Sequence, residues 1–344
     1  MVDWKMEKNG SKAEGPVLQV KNLDVSYYTD AGRAQALAGV SFNLNAGEKL
    51  GLVGESGSGK STMALAMMNM IKAPGRIEGG QVIVDGTDLM ALSHEDMLKA
   101  RLSKISYIPQ GAMNSLNPVM RIGAQMADAI KAHDQYASKT EIEDRSKFAL
   151  ESVDLDPGVY DMYAHELSGG MKQRVCIAIG ILLEPKVIVA DEPTSALDVV
   201  TQRQVMETLD RIKDQLGCAI ILIGHDMGLM AQFVDKVAVL YAGQIMELST
   251  VREMFTSALH PYASALIESL PNLENKGVFQ GIPGLAPALL RLPSGCSFHP
   301  RCSQVMDVCR QKRPQPEIMD GRIVACHLHT ENQEIQALVE ASKS

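Results

Sequence analysis

Three glycines, a lysine and four hydroxyl residues fall together in Gly54-Glu55-Ser56-Gly57-Ser58-Gly59-Lys60-Ser61-Thr62, spaced as G-x-x-x-x-G-K-[ST]. Glycine at these places lets successive backbone N–H groups turn inward around phosphate oxygens. Lys60 adds a point charge for the β- and γ-phosphates, and Ser61 offers a hydroxyl to Mg²⁺. A helix beginning near Lys60 turns its positive end toward the same oxygens. A plain glycine turn is the alternative, but an apolar strand ahead and a helix behind are the context a phosphate cradle requires. A second apolar run, Val187-Ile-Val-Ala190, ends in Asp191-Glu192. A carboxylate at the end of a buried strand can hold Mg²⁺, mostly through water, and the next one is placed to polarise an attacking water. The two segments together predict hydrolysis of a nucleoside triphosphate.

Further clusters narrow the class: Gln110, Leu167-Ser168-Gly169-Gly170-Met171 followed by Lys172-Gln173-Arg174, Ser195-Ala-Leu-Asp198, and Gly224-His225-Asp226. Taken alone, Ser-Gly-Gly is a helix-capping loop. In this order and spacing the set resembles the ATP-binding subunit of ABC transporters. The resemblance implies an α/β P-loop NTPase fold with an antiparallel β subdomain, a helical signature subdomain and an irregular C-terminal extension. It makes ATP the nucleotide and all nine residues Gly54–Thr62 its cradle. Ser168, Gly169 and Gly170 would grip the γ-phosphate of ATP held by an opposite subunit, and Asp198 would lie at the subunit contact. His225 would reach the γ-phosphate of its own site, Glu192 would serve the attacking water, and Gln110 would sense both that water and Mg²⁺ held with Ser61 and Asp191. Tyr27 falls where the family stacks a ring on adenine, with Tyr28 as the neighbouring candidate and an ordinary strand tyrosine as the plain alternative.

The likeness extends past the cassette. Met171 in Leu-Ser-Gly-Gly-Met, the stretch Gln110-Gly111 through Asn117-Pro118, and His260-Pro261-Tyr262 on through Gly295-Cys296-Ser-Phe-His-Pro-Arg301-Cys302 resemble the oligopeptide/dipeptide importer ATPases. That branch implies a second, paralogous ATPase subunit, two transmembrane permease subunits, an extracellular or periplasmic solute-binding protein, and a peripheral position at the cytoplasmic face of the membrane. Relatives of this type move peptides, nickel or oligosaccharides. A soluble ABC ATPase of DNA repair or translation is the alternative, against which stand the single cassette and the importer-like extension.

Cys296, Cys302, Cys309 and Cys326 are spaced C-x5-C-x6-C-x16-C. Four thiolates are the complement of a [4Fe–4S] cluster, and the spacing lacks the paired C-x2-C knuckles usual for zinc. Some dipeptide-type ATPases carry such a cluster at this pattern. An iron–sulfur cluster, a zinc ion and four free thiols all stay open. Cys176 and Cys218, in apolar surroundings, read as core packing, as do the 20 methionines.

Composition limits what else these 344 residues do. The net charge is −8, with a pI near 5.5, and aromatic residues make up 4%, so neither a phosphate-backbone tract nor a base-stacking surface is supplied. No partner of nucleic acid is expected. Met1–Gly15 has no apolar core of a signal sequence and reads as a disordered tail, no run reaches the roughly 20 apolar residues of a spanning helix, and six cysteines fit a reducing compartment.

Positioning the chemistry requires particular elements. Val17–Val20, Leu23–Tyr27, Val40–Leu44 and Gln81–Val84 read as strands of an antiparallel sheet, closed by a turn at Asp85-Gly86. Leu50–Val53, Val187–Ala190 and Ala219–Ile223 read as buried parallel strands, with a helix over Val199–Gln215. Val237–Leu240 with Ala242-Gly243 reads as a closing hairpin. Residues 112–172 carry helix-like runs at Ile122–His133 and Ile142–Val153. The expected domains are therefore 16–255 for the cassette and 256–344 for an appended, less regular extension rich in proline and cysteine.

Overall fold

The computed structural model describes residues 15–195, 197–270 and 281–330; apart from Gly15, the expected N-terminal tail lies outside them. Two sheets organise the chain. The first contains β1 (Leu18–Thr29), β2 (Gly32–Leu44), β4 (Gly75–Val84) and β5 (Thr87–Asp88) in the antiparallel order β2-β1-β4-β5. Strand β2 shows why it forms: Val40, Phe42 and Leu44 are buried while Asn43 faces out, the period-2 pattern of a sheet with one covered face. The two short strands expected at residues 17–27 are one strand, β1, whose register slips between Val20 and Val25. The Asp85-Gly86 turn joins β4 to β5, with both residues at positive φ (47° and 74°) as a two-residue hairpin turn demands.

The second sheet has eight strands: β3 (Lys49–Val53), β6 (Ile105–Ile108), β7 (Val187–Asp191), β8 (Ala219–Ile223), β9 (Lys236–Tyr241), β10 (Gln244–Thr250), β11 (Glu317–Met319) and β12 (Arg322–Val324). Their order is β11-β12-β10-β9-β3-β8-β7-β6, parallel from β9 to β6 and antiparallel beyond. Every residue of β7 and β8 is buried, because both faces of the parallel part are covered. Alternate residues serve different cores. Val187, Val189, Ile221 and Ile223 pack with the antiparallel sheet, and Ile188, Ala190, Ile220 and Leu222 pack with the helices of the other face.

The helices are α1 (Lys60–Met67), α2 (His94–Ala100), α3 (Ile122–Lys131), α4 (Lys139–Ser152), α5 (Gly169–Ile181), α6 (Val199–Leu216), α7 (Met227–Phe233), α8 (Val251–Ser257), α9 (Pro261–Glu268) and α10 (Asp307–Gln311). Helices α3, α4 and α5 lie between β6 and β7. The charged stretch of α4 is its wet face, with Lys147–Glu143 and Arg145–Glu141 ion pairs one turn apart. Cys176 and Cys218 are buried among apolar neighbours.

The extension is woven into the cassette. Strand β12 lies against β10 (Glu247↔Val324, Leu248↔Ile323), so the β9–β10 hairpin does not close the sheet. Tyr262, Phe298, Met306 and Val308 sit in the same core cluster as β8 and α5. At the seam the Glu247 carboxylate, wholly buried, accepts from Arg322 Nη2 at 2.5 Å, from Leu259 N at 2.8 Å and from His260 N at 2.7 Å. Pairing of both carboxylate oxygens is what makes the charge tolerable there, although Arg322 Nε is buried with no partner among the described residues.

Candidate nucleotide site

The phosphate loop runs from the end of β3 into α1. Gly59 caps α1 at φ 110°, and a Cβ on Gly54 would stand 2.1 Å from the Leu240 carbonyl oxygen, so only glycine passes between loop and strand β9. Lys60 is buried, and its Nζ donates to the carbonyl oxygens of Gly54 (2.7 Å) and Glu55 (3.0 Å). Burial pulls its ammonium below the ordinary lysine range, opposed by the carboxylates of Glu192, Asp191 and Glu55. The Ser58 hydroxyl is buried inside the loop and has no partner among the described residues. Ser56, Gly57 and Ser61 are exposed and Thr62 is partly so, leaving the mouth of the cradle open.

Strand β7 brings Asp191 to the same place. Tyr107 of β6 donates to its Oδ2 (3.1 Å), and the Ser61 hydroxyl lies near enough to the carboxylate to lower its pKa. Burial raises the Asp191 carboxyl above its usual range, and its Oδ1 has no partner among the described residues. A buried, orphaned carboxylate oxygen beside a serine hydroxyl is the donor set a hard divalent cation takes, so the residues fit Mg²⁺.

Glu192 follows at φ 48°, its N–H donating to the Ile223 carbonyl (2.9 Å). Its carboxylate stands between two candidate partners: Gln110 Nε2 donates to Oε2 at 2.5 Å, and His225 Nε2 lies 2.5 Å from Oε1. The ends of β6, β7 and β8 thus bring Gln110, Asp191, Glu192 and His225 together, next to Lys60.

Other residues are held elsewhere. Ser168 caps α5, its Oγ accepting from Met171 N (3.3 Å), and Gly170 abuts Thr201. Asp198 caps α6, accepting from Thr201 N (3.0 Å) and Oγ1 (2.6 Å). The signature therefore packs on the start of α6, with Ser168, Gly169 and Asp198 exposed beside the bare side chains of Val199 and Val200. Tyr27 packs its ring against Ile71 and Gly75, whereas Tyr28 is exposed and bonds Glu78.

The expectation of a metal centre on Cys296, Cys302, Cys309 and Cys326 is not met. Among the described residues no three His, Cys, Asp or Glu side chains converge as the ligands of an ion. All four are free thiols; burial pushes Cys296 up to about 11 and Cys326 up to about 12. Cys326 nevertheless lies within electrostatic reach of Cys296, Cys302 and Cys309, and Cys296 N donates to the Cys309 carbonyl (2.8 Å). The nearby histidines are engaged with carbonyl oxygens: His299 with Cys296, His327 with Lys312 and His329 with Leu259.

One group at the loop was not marked by its own chemistry in the sequence. Arg301 forks onto Glu55 (Nη1–Oε2 2.6 Å, Nη2–Oε1 2.9 Å), and Glu55 N donates to the Tyr262 hydroxyl (3.0 Å). Both partners lie in stretches the sequence marks only by resemblance.

Comparison with known proteins matches residues 37–195 to the family described as ABC transporter, and residues 246–309 to the oligopeptide/dipeptide transporter C-terminal region. The chain is 43% identical to the oligopeptide transport ATP-binding protein OppD of Escherichia coli (strain K12), over 90% of this chain and 92% of that one. It is 38% identical to the dipeptide transport ATP-binding protein DppD of Caldanaerobacter subterraneus, over 93% and 99%. Among solved structures, the ATP-binding cassette MJ0796, a dimer bound to ADP and phosphate, aligns with TM-score 0.60 and 27% identity over 68% of this chain and 99% of that one.

Proposed function

The chain belongs to the ABC transporter ATP-binding family, in its oligopeptide/dipeptide branch, and from that premise we propose how its residues turn ATP hydrolysis into solute import. The protein is an ABC-type ATPase, the ATP-binding subunit of an importer. The observation that carries the mechanism is the Glu192 carboxylate held between Gln110 and His225, one residue from a buried Asp191 with an orphaned oxygen.

Gly54–Thr62 wraps the phosphates with backbone N–H groups, and Lys60 leaves its two loop carbonyls to meet the β- and γ-oxygens. Ser61, Asp191 and Gln110 would hold Mg²⁺, which neutralises the charge of those oxygens. Glu192 accepts the proton of a water whose oxygen attacks the γ-phosphorus as the bond to the β–γ bridging oxygen breaks, releasing ADP and phosphate. His225 and Gln110 orient that carboxylate and the γ-phosphate. Tyr27 is the candidate for adenine stacking. Ser168, Gly169 and Asp198, exposed on the start of α5 and α6, and the half-buried Gly170 complete the site of a facing ATPase subunit, a paralogous chain in this proposal.

The dimer works against two transmembrane permease subunits at the cytoplasmic face of the membrane, and a solute-binding protein delivers the cargo. No helix among the described residues is long and apolar enough to cross a membrane itself. Di- and oligopeptides are the proposed cargo, in keeping with the named relatives. Lys60→Ala should abolish ATP binding, and Glu192→Gln should keep binding while losing hydrolysis. Mass spectrometry of what the co-purified binding subunit retains tests the cargo: peptides support it, and a bare metal ion or sugar would replace it.

A separate arm of the proposal concerns the cysteine quartet, read as ligands of a [4Fe–4S] cluster with zinc as the alternative. A cluster takes one thiolate per iron, so its ligands need not converge on one point. Brown anaerobic protein with about four irons per chain supports the cluster; colourless protein with one zinc supports the alternative, and metal-free protein sinks both.

A further inference from the structure

We propose that Arg301 is a positioning residue for the phosphate loop, through which the C-terminal extension holds the cradle in shape to receive the triphosphate. Residue 55 is the second of the loop, and the extension grips it twice. Arg301 takes its carboxylate with a two-pronged charge-assisted pair, while the Tyr262 hydroxyl of α9 accepts its backbone N–H. The grip is itself fixed. Arg301 is nearly buried (5% of its side chain exposed), and it donates to Pro283 O (2.8 Å), Ile282 O (3.1 Å) and the Tyr241 hydroxyl (3.3 Å). Its guanidinium also lies over the rings of Tyr241 and Phe298, at 5.9 and 6.0 Å. Ala286–Leu290 of the extension then faces Glu55–Ser58 across a cleft that Tyr241 and Ala34 complete.

Two physical effects follow from this arrangement. A loop whose second residue is anchored at side chain and backbone loses less freedom when its N–H groups close on phosphates. The Arg301 charge also neutralises a carboxylate that would otherwise face a polyanion. Both act on ATP affinity rather than on the attack by water, which belongs to Glu192. The turn His299–Arg301 lies between Cys296 and Cys302, so the guanidinium rides on the backbone that carries two of the four thiols. The inference rests on reading Gly54–Thr62 as the ATP cradle.

The test measures Mg–ATP binding and steady-state hydrolysis by the complete transport complex carrying Arg301→Ala, Arg301→Lys, Glu55→Gln or Glu55→Gln/Arg301→Ala. Arg301→Ala is expected to raise Kd and KM for ATP about tenfold while kcat stays within about threefold, and lysine, lacking the fork, should rescue only part of the loss. On the Glu55→Gln background the same Arg301→Ala change should weaken binding by no more than about twofold, because the charge it neutralised is gone. Equal losses in both backgrounds, or an unchanged KM in Arg301→Ala, would overturn the positioning role. If Arg301→Ala does not fold, Arg301→Lys and Glu55→Gln carry the same comparison through KM against kcat. Lys60→Ala separates the two readings: if it binds Mg–ATP as the parent does, the cradle assignment itself fails, and if it alone loses binding, only the role of Arg301 does.

Discussion

Glu192 holds a left-handed backbone conformation, φ 48°, that a side chain with a Cβ adopts at a cost, and the Ile223 carbonyl and two side-chain partners keep it there. Such over-determination suits the water-activating role proposed for this carboxylate. Glu192→Gln is expected to lower kcat by at least about 10²-fold with ATP affinity within a few-fold, read by stopped hydrolysis assays and equilibrium binding. His260 shows the opposite use of burial. It caps α9 by accepting from Tyr262 N (3.0 Å), and burial pushes it down to about 3. The unfolded chain therefore binds one more proton between about pH 6.5 and pH 3, so this histidine's contribution is full above pH 6.5 and is lost as pH falls through that window. Melting midpoints should drop on acidification from pH 7 to pH 4.5, by the equivalent of about 1 kcal/mol per pH unit from this group, and less in His260→Asn, which keeps a cap and does not titrate. At this scale the sequence is most legible where chemistry is local. The loop, Asp191-Glu192 and the signature announce themselves because neighbouring residues do the work together. Arg301 and Glu55 are 246 positions apart, and nothing in either neighbourhood encodes the other.

Elements were legible where one period rules. Strand β8 was expected at Ala219–Ile223 and lies there, and α6 was expected from Val199 and starts there, because a fully apolar run and a one-sided helical stripe have few alternatives. The edge was harder. Strand β10 reads as the second arm of a hairpin, yet all but its last residue are buried, Glu247 included. The reason is β12, a three-residue strand too short to announce itself, whose Arg322 meets Glu247 under the surface. Glu247→Ala leaves that arginine buried with two backbone N–H groups unpaired, and should cost about 3–5 kcal/mol, seen as a lower denaturation midpoint. Glu247→Ala/Arg322→Met should recover part of the loss. At the other exposed face, Ser168→Ala removes the α5 cap and should cost about 1 kcal/mol in stability, a loss separable from its effect on turnover.

For the whole molecule, the division of the proposed catalytic groups matters more than any one of them. Gln110, Asp191, Glu192 and His225 gather beside Lys60, whereas Ser168 and Asp198 face outward on α5 and α6 with Val199 and Val200 bare beside them. Complexes assembled with Lys60→Ala in this chain and a signature change in the facing subunit should differ in activity from those carrying Lys60→Ala and Ser168→Arg together in this chain. Equal activity in the two arrangements would contradict a shared site. The extension's place in the sheet has a consequence for how the protein is made. Synthesis is vectorial: the loop at residue 55 emerges early, but Tyr262, Arg301 and the β12 strand that seals β10 follow only near the end of the described chain. A nascent or prematurely terminated chain carries the whole catalytic motif set with an unsealed strand edge and an ungripped phosphate loop. The last-made part of the fold is thus what seals the β10 edge and anchors residue 55.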